Sequence, residues 1–548
     1  MSRVQLKISP TAVNVNELEH HEVVIVGTGF SGLLTNIYLK DAGITDIINF
    51  EKTPSVGGVW SSKGVGGYPG AACDVPSYTY LPMLDRTGFI PSKKYVSQNE
   101  ISKYCNLLVT QCEIGHTLRF NRTVQHIEFL GETSAKVWKI TTLDSNTGAI
   151  ADVVTCKHVV TANGPLSSPR LPEIDGTENF QGLSFHSAKW PDHVNLKNKR
   201  VGVVGTGASA AQIITSIADD VEHLYVFQRT ATWCMPRDDE PTPGPLRDAF
   251  AAKINFGETI RQEQARSEAG RDPQNPLKKQ PTPALGMWEM VHNPKRNKVM
   301  CNMLSAGIKQ QVKDQDLAKR LTPDYGFFCK RVLFLDDYYT TYNKKNVTLV
   351  DDSAGVSLVT KTGIQTGGGK SIDNLDVIIY ATGFNTGEMQ FKVTGKNGID
   401  LATYYGANQD NNFQLTRPKS LWGMHVVGFP NMYQMIGPQS LNPLTNVTLL
   451  CEEQGKRIVD LVLRTRKNGI NYVEPTETAV EQWVKLCNAS SQGKVWLGCN
   501  NWYMKTTKDD EEKGRERGAN MWMETYQDYL AHFKDGKGGT MDELLQFY

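Results

Sequence analysis

Glu22-Val-Val-Ile-Val-Gly-Thr-Gly-Phe-Ser-Gly32 is the stretch whose reading decides the fold. Glu22–Val26 is an apolar run of buried-strand length. Gly27-Thr-Gly-Phe-Ser-Gly32 follows at once, and Leu33–Ala42 reads as a helix that Gly43 ends. Strand, G-x-G-x-x-G and helix, in that order, make the phosphate-binding unit of a Rossmann fold. Gly27 permits the tight turn, Gly29 lets backbone approach a pyrophosphate, and Gly32 lets the helix pack on the strand. Phe30 and Ser31 stand at the positive end of that helix, where phosphates would sit. The next strand, 46–50, ends on Glu51, nineteen residues after Gly32. An acid there accepts hydrogen bonds from ribose hydroxyls and repels a 2′-phosphate, so FAD or NAD fits and NADP does not.

The pattern recurs. Val201–Val204 leads into Gly205-Thr206-Gly207-Ala208-Ser209-Ala210 and a helix from Ala211 to about Ala218. The following strand, Leu224–Gln228, ends on Arg229-Thr230, with arginine where the first site has its acid. A guanidinium pairs with phosphate bidentately, so this site suits the 2′-phosphate of NADPH. A duplicated FAD site and a merely solvated Arg229 are the competing readings. One chain then holds a flavin and its hydride donor. Asp376–Phe384, an apolar strand running into Ala-Thr-Gly, reads as the return to the flavin domain, and Ala162–Pro165 as the outbound crossing. The expected class is α/β with two Rossmann-like dinucleotide-binding domains. The FAD-binding domain takes residues 1–160 and 386–548, and the NADPH-binding domain residues 161–385. Residues 235–321, rich in charge and proline, read as a helical insertion with helices near 246–266 and 298–321.

The bulk numbers fit this. The 548 residues call for more than one domain, and 39% hydrophobic with 21% charged is a globular balance. A net charge of +1 gives no reason to expect nucleic acid or an anionic membrane as partner. The N-terminus is too polar for a signal peptide or membrane span. Ten scattered cysteines lack any zinc spacing, so no metal is expected; free thiols and a reducing, cytoplasmic setting follow. A flavin disulfide reductase would need a C-x-x-C or C-x4-C pair, and none is present. The charge run 508–517 reads as a solvated segment.

Between the two turns lies Phe180-Gln-Gly-Leu-Ser-Phe-His-Ser-Ala-Lys-Trp-Pro191. Read as F-x-G-x-x-x-H-x-x-x-W-P, it resembles the fingerprint of the type I Baeyer–Villiger monooxygenases at Phe180, Gly182, His186, Trp190 and Pro191. Amine-oxidising flavin monooxygenases resemble the run to the histidine but usually carry Tyr or Phe at the Trp190 position. The resemblance implies that this run links the domains and that His186 is tied to their motions. A purely structural, hydrogen-bonded His186 is the alternative.

Further motifs resemble the same family. Gly57-Gly58-Val59-Trp60 and Tyr68-Pro-Gly-Ala-Ala-Cys-Asp74 resemble its G-G-x-W and Y-P-G-x-x-x-D, with a spacer, residues 61–67, longer than the family's. Lys330-Arg331, followed by Leu335–Asn343, resembles its active-site pair, and Gly428–Asn431 and Gly437–Ser440 its C-terminal flavin-domain signatures. Trp496-Leu-Gly-Cys-Asn500 resembles its W-x-x-G-x-N segment near the nicotinamide, though Asn501–Met504 departs from the family's continuation. The resemblance implies FAD and NADPH (with NADP+ retained), O2, a ketone substrate, and conversion to an ester or lactone through a C4a-peroxyflavin. It makes Arg331 the catalytic cation and Asp74 the partner that orients it. Lys330 and Trp496 become cofactor contacts. Met432, Tyr433 and Met435 read equally as substrate wall or core. Oxidation of amines or sulfides is the alternative activity, and a catalytically silent flavoprotein the alternative class.

Overall fold

Val23, Val24, Ile25 and Val26 are all buried, and burial on both faces is what a central strand of a parallel sheet requires. In the computed structural model, strand Glu19–Val26 lies between Ile47–Phe50 and Ile150–Thr161 and runs parallel to both. The structure describes residues 17–61, 66–131, 137–252, 283–386, 390–407, 418–440, 444–505, 518–534 and 536–548. Arg122–Leu130, Val137–Asp144 and Ile150–Thr161 form an antiparallel meander that widens this first sheet. Two late strands rejoin it: Lys392–Thr394 beside Arg122–Leu130, and Met432–Gln434 beside Ile150–Thr161.

The second sheet is parallel throughout. Among the described residues it has five strands, in the order Val347–Asp351, His223–Gln228, Arg200–Val204, Val377–Tyr380 and Leu183–His186. All five fall between the first sheet's Thr161 and its Lys392, so the second Rossmann unit is inserted into the first.

Several expectations need adjustment. Both glycine-turn helices start earlier than their apolar patterns, at Phe30 and Ala208, because Gly29 and Gly207 act as N-caps. The fingerprint run is partly strand: Leu183–His186 is the edge of the second sheet, pairing His186 with Tyr380. The helix expected over 298–321 is two helices, Pro294–Gln311 and Gln315–Arg320. Asp314 starts the second by accepting from the backbone N–H groups of Asp316 and Leu317. Of the helix expected over 246–266, Gly244–Ala251 is present, and 253–282 lie outside the described residues, as do 62–65 and 506–517.

The expectation of free thiols is corrected at one pair. Cys329 and Cys499 are disulfide-bonded, with Cα atoms 6.1 Å apart, and the other eight cysteines form no disulfide. Scattered spacing hid the pair, since 170 residues separate its members. No helix among the described residues is long and apolar enough to cross a membrane.

Packing of the first sheet buries two histidines. His158 sits between the hydroxyls of Tyr433 and Thr465, 3.2 Å from each, and His425 packs edge-on to Tyr433. Burial pushes both down to about 3, helped at His158 by Lys157 and at His425 by Arg457. Unfolded, each titrates near 6.5. Below that pH the unfolded chain binds more protons, so stability falls as pH drops from 6.5 towards 3. Each histidine contributes up to about 1.4 kcal/mol per pH unit. Urea unfolding of His158→Gln should therefore show a shallower loss of stability between pH 6.5 and 4 than wild type. Equal slopes would mean that His158 does not titrate this way.

Candidate functional site

The two glycine turns are built alike. Val26 pairs with Thr161 and Val204 with Tyr380, and each strand pair hands the chain to a crossing segment. Gly27 has φ +103°, and a Cβ there would lie 2.6 Å from the Ala162 carbonyl oxygen. Gly205 has φ +119°, and its Cβ would lie 2.5 Å from the Ala381 carbonyl oxygen. Each turn thus packs against the backbone of the segment that leaves or re-enters the first domain. Gly32 allows a closer contact still: its Cβ would stand 1.9 Å from the Gly27 carbonyl oxygen. Gly207, by contrast, faces open space, and Gly29 meets only Gly58 at 3.7 Å. Neither helix has a side-chain cap, so first-turn N–H groups remain for a pyrophosphate. Both turns therefore fit a dinucleotide.

The second strands end in opposite charge. The Glu51 carboxylate is buried and holds the first turn: Oε2 accepts from Thr28 N (3.0 Å) and Thr28 Oγ1 (2.8 Å), and Oε1 from Thr53 N and Oγ1 (2.9 Å each). Its negative charge remains at the end of the strand. In the second unit Thr206 Oγ1 donates to the Thr230 carbonyl at 2.8 Å. Arg229 and Lys330 come together there. Burial lowers the Lys330 pKa, and the charge on Arg229 lowers it further. Neither cation has a carboxylate within ion-pair distance among the described residues. Lys330 Nζ lies 5.1 Å from the centre of the Tyr325 ring.

One residue further on, Arg331 Nη2 donates to both oxygens of Asp74 at 2.7 Å. The side chain of Arg331 leaves 47% of its surface accessible, and that of Asp74 22%. Asp74 raises the Arg331 pKa, with burial acting in the opposite direction. Asp74 itself ends the Tyr68–Asp74 loop, which docks on the helix Ala208–Ile217. Tyr68, beside Ser209, donates to Gln212 Oε1 at 3.0 Å, and Gln212 Nε2 donates to the Ala72 carbonyl at 2.9 Å. Gly70 is needed because a Cβ would lie 2.7 Å from the Gln212 carbonyl oxygen. Tyr68 and Gln212 are thus site residues that motif reading missed, although Tyr68 stands inside the quoted motif.

The remaining residues divide. Gly58 abuts the first turn, where its Cβ would be 2.9 Å from Gly29 Cα. Trp60 Nε1 donates to Tyr80 OH at 2.7 Å, and the Val59 carbonyl accepts from Gly66 N at 2.9 Å. The Phe30 ring is core, edge-on to Tyr80, and the Ser31 hydroxyl meets Cys451 Sγ at 3.2 Å. These two offer a ligand backbone more than side chain, and Ala210 is buried in the helix packing. In the fingerprint run, Phe180 packs on the outer face of the second sheet. Gly182 cannot carry a Cβ, which would lie 2.4 Å from the Asp376 carbonyl oxygen. Trp190 packs edge-on to Phe185, and the Pro191 carbonyl accepts from Val194 N. His186 is buried with Nδ1 accepting from Ala188 N, against Phe384 of the returning crossing. Burial lowers its pKa, the Gly383 carbonyl acting the other way. Asn431 of the Gly428–Asn431 motif is structural, donating to the Lys157 and Asn471 carbonyls.

Trp496 is fully buried with its indole N–H unpartnered, a donor that a cofactor oxygen would satisfy. The asparagine that organises its segment is Asn501, not Asn500. Asn501 Nδ2 donates to the Trp496 carbonyl at 2.7 Å, and Oδ1 accepts from the backbone of Tyr503 and Met504. Counting W-x-x-G-x-N from Trp496 reaches Asn501 and puts Cys499 at the glycine position. The buried Tyr503 lies within electrostatic range of both Arg331 and Asp74. Met432 and Tyr433 are core, whereas Met435 lines a cavity of about 100 Å³ with Asn163, Asn385 and Trp502.

Known proteins agree with this geometry. Residues 20–245 match the flavin-binding monooxygenase-like family. The chain is 31% identical over 522 residues to 2-oxo-Delta(3)-4,5,5-trimethylcyclopentenylacetyl-CoA monooxygenase of Pseudomonas putida, covering 89% of this chain and 91% of that one. It is 32% identical over 502 residues to a Baeyer–Villiger monooxygenase of Streptomyces coelicolor, covering 89% and 87%. The crystal structure of OTEMO in complex with FAD and NADP matches with a TM-score of 0.82 and 28% identity, over 96% of this chain and 99% of that one. Two nucleotide sites on one chain define a pyridine-nucleotide-dependent flavoprotein. This chain belongs to the Baeyer–Villiger monooxygenase family, FAD-containing and NADPH-dependent enzymes that convert ketones to esters or lactones.

The two kinds of glycine should separate on substitution. Gly32→Ala has no room and should cost several kcal/mol of stability, with loss of bound flavin on purification. Gly207→Ala should fold normally, since nothing lies within 4 Å, and raise the KM for NADPH. Thermal unfolding and flavin absorbance distinguish them; a stable, yellow Gly32→Ala protein would contradict the packing described.

Proposed function

We propose that Arg331 is the catalytic cation of ketone oxygenation and that Asp74 positions it. The observation that carries this is the Asp74–Arg331 pair, which joins a loop of the first domain to a loop of the second. Bound FAD, reduced by NADPH, supplies the activated oxygen from O2. The residues supply geometry and charge. Arg331 offers a fixed positive charge to the negative charge that develops on the ketone oxygen as it is attacked. A preorganised donor in a water-poor site is worth about 3–4 kcal/mol in such a step. Asp74 keeps the guanidinium in one orientation, and without it the charge would carry an uncompensated desolvation cost.

In the same reading, Arg229 and Lys330 hold the 2′-phosphate of NADPH, and Glu51 stands at the adenosine ribose of FAD. The uncapped turns at Gly29 and Gly207 take the two pyrophosphates. Trp496 contacts NADP+, and the cavity beside Met435 and Trp502 gives the ketone room. The domain boundaries near 161 and 385 follow the two crossings. Eight cysteines that form no disulfide support a cytoplasmic setting.

Arg331→Ala should retain FAD and consume NADPH slowly while forming about 10²–10³-fold less oxygenated product. The test supplies heavy-isotope O2 and a ketone panel and measures ester or lactone by mass spectrometry. Normal yield in the variant would remove Arg331 from the chemistry. Arg229→Ala should raise the KM for NADPH about 10–100-fold, the worth of one charge-assisted hydrogen bond, and leave the KM for NADH unchanged. A parallel rise for both coenzymes would place Arg229 elsewhere than at the 2′-phosphate.

A further inference from the structure

Cys329 immediately precedes Lys330-Arg331, and Cys499 lies two residues before Asn501, which orders the segment from Trp496 to Met504. Their disulfide joins the second domain's catalytic loop to the C-terminal part of the chain. A cavity of about 470 Å³ runs along this seam, lined by Tyr325 and Gly326 on one side and Val495 and Gly498 on the other. Cys329 is fully buried, with Sγ 3.0 Å from the Val495 carbonyl oxygen, and Cys499 is partly exposed. On the far side the tryptophan segment has its own support, with Trp288 edge-on to Trp496. Among the described residues this covalent bond crosses the seam beside the close approach of Gly326 to Val495.

We propose that Cys329 and Cys499 are positioning residues for the oxygenation, their disulfide holding Arg331 and Lys330 in register with Trp496 and Tyr503 across the cofactor cleft. This rests on the reading that Arg331 and Trp496 face that cleft. The bond also makes the register responsive to oxidants. Its formation takes two electrons and two protons from two thiols, and hydrogen peroxide, the leak product of a flavoprotein oxygenase, accepts them to become two waters. Reduction by a phosphine reverses this: the S–S bond breaks at the accessible Cys499 sulfur, water supplies the oxygen of the phosphine oxide, and two thiols re-form.

The test begins with the FAD-loaded enzyme purified without reductant. Non-reducing tryptic digestion should yield residues 321–330 linked to 495–505, a pair that tris(2-carboxyethyl)phosphine separates. Treatment with that phosphine should weaken NADP+ binding about fivefold or more, the size of an ordinary coupling between sites. It should also raise the ratio of hydrogen peroxide to ester. Cys329→Ser/Cys499→Ser should behave like the reduced enzyme and ignore the phosphine. Cys499→Ser alone serves if the double variant fails to fold. The proposal is overturned if the linked peptide is missing even after peroxide treatment. It is also overturned if reduction leaves NADP+ binding and product ratio unchanged, or if the phosphine acts equally on the serine variant. An Arg331→Ala enzyme with normal ester yield but an intact linked peptide would sink the underlying site reading instead.

Discussion

Everything in this molecule is organised by two points where a glycine turn meets a crossing strand. At Gly27 the neighbour is the Ala162 carbonyl, and at Gly205 it is the Ala381 carbonyl, each closer than any side chain permits. These contacts place the exit and re-entry of the inserted domain directly behind the phosphate-binding turns. Both nucleotide sites therefore share one region, and the loops that carry Asp74 and Arg331 are delivered to it from opposite domains. The charge relation follows from this arrangement. Arg331 is held by an acid from the other domain, while Arg229 and Lys330 act on one another and, among the described residues, form no ion pair with a carboxylate.

Much of this was legible in the residues. A strand buried on both faces reads as a continuous apolar run, and the turns declare themselves because glycine alone fits them. The change from Glu51 to Arg229 at equivalent strand ends sets opposite charges at the two turns. Short motifs recorded these local demands faithfully. They were less reliable about boundaries: Gly29 and Gly207 begin their helices before the apolar pattern does, and Asp314 divides what composition presents as one helix.

Long-range pairings were not legible, for a physical reason. The Cys329–Cys499 bond closes 170 residues and leaves no local spacing to read. The grip of Gln212 on the Tyr68–Asp74 loop depends on a helix and a loop from different domains meeting. Tyr503 lies within electrostatic range of Arg331 and Asp74 in a loop that departs from the family pattern. The motif did contain one overlooked signal: the count from Trp496 reaches Asn501, leaving Cys499 where the family has glycine.

The Tyr68–Gln212–Ala72 contact has a mechanical meaning. It fastens the loop ending at Asp74 to the helix that follows the second glycine turn. Any rotation of the inserted domain that preserves these hydrogen bonds must pivot close to them. Displacement then grows with distance from the pivot. Asp74 and the start of that helix would stay nearly still. The chain thus keeps the Asp74 carboxylate and the start of that helix at the still end of a lever.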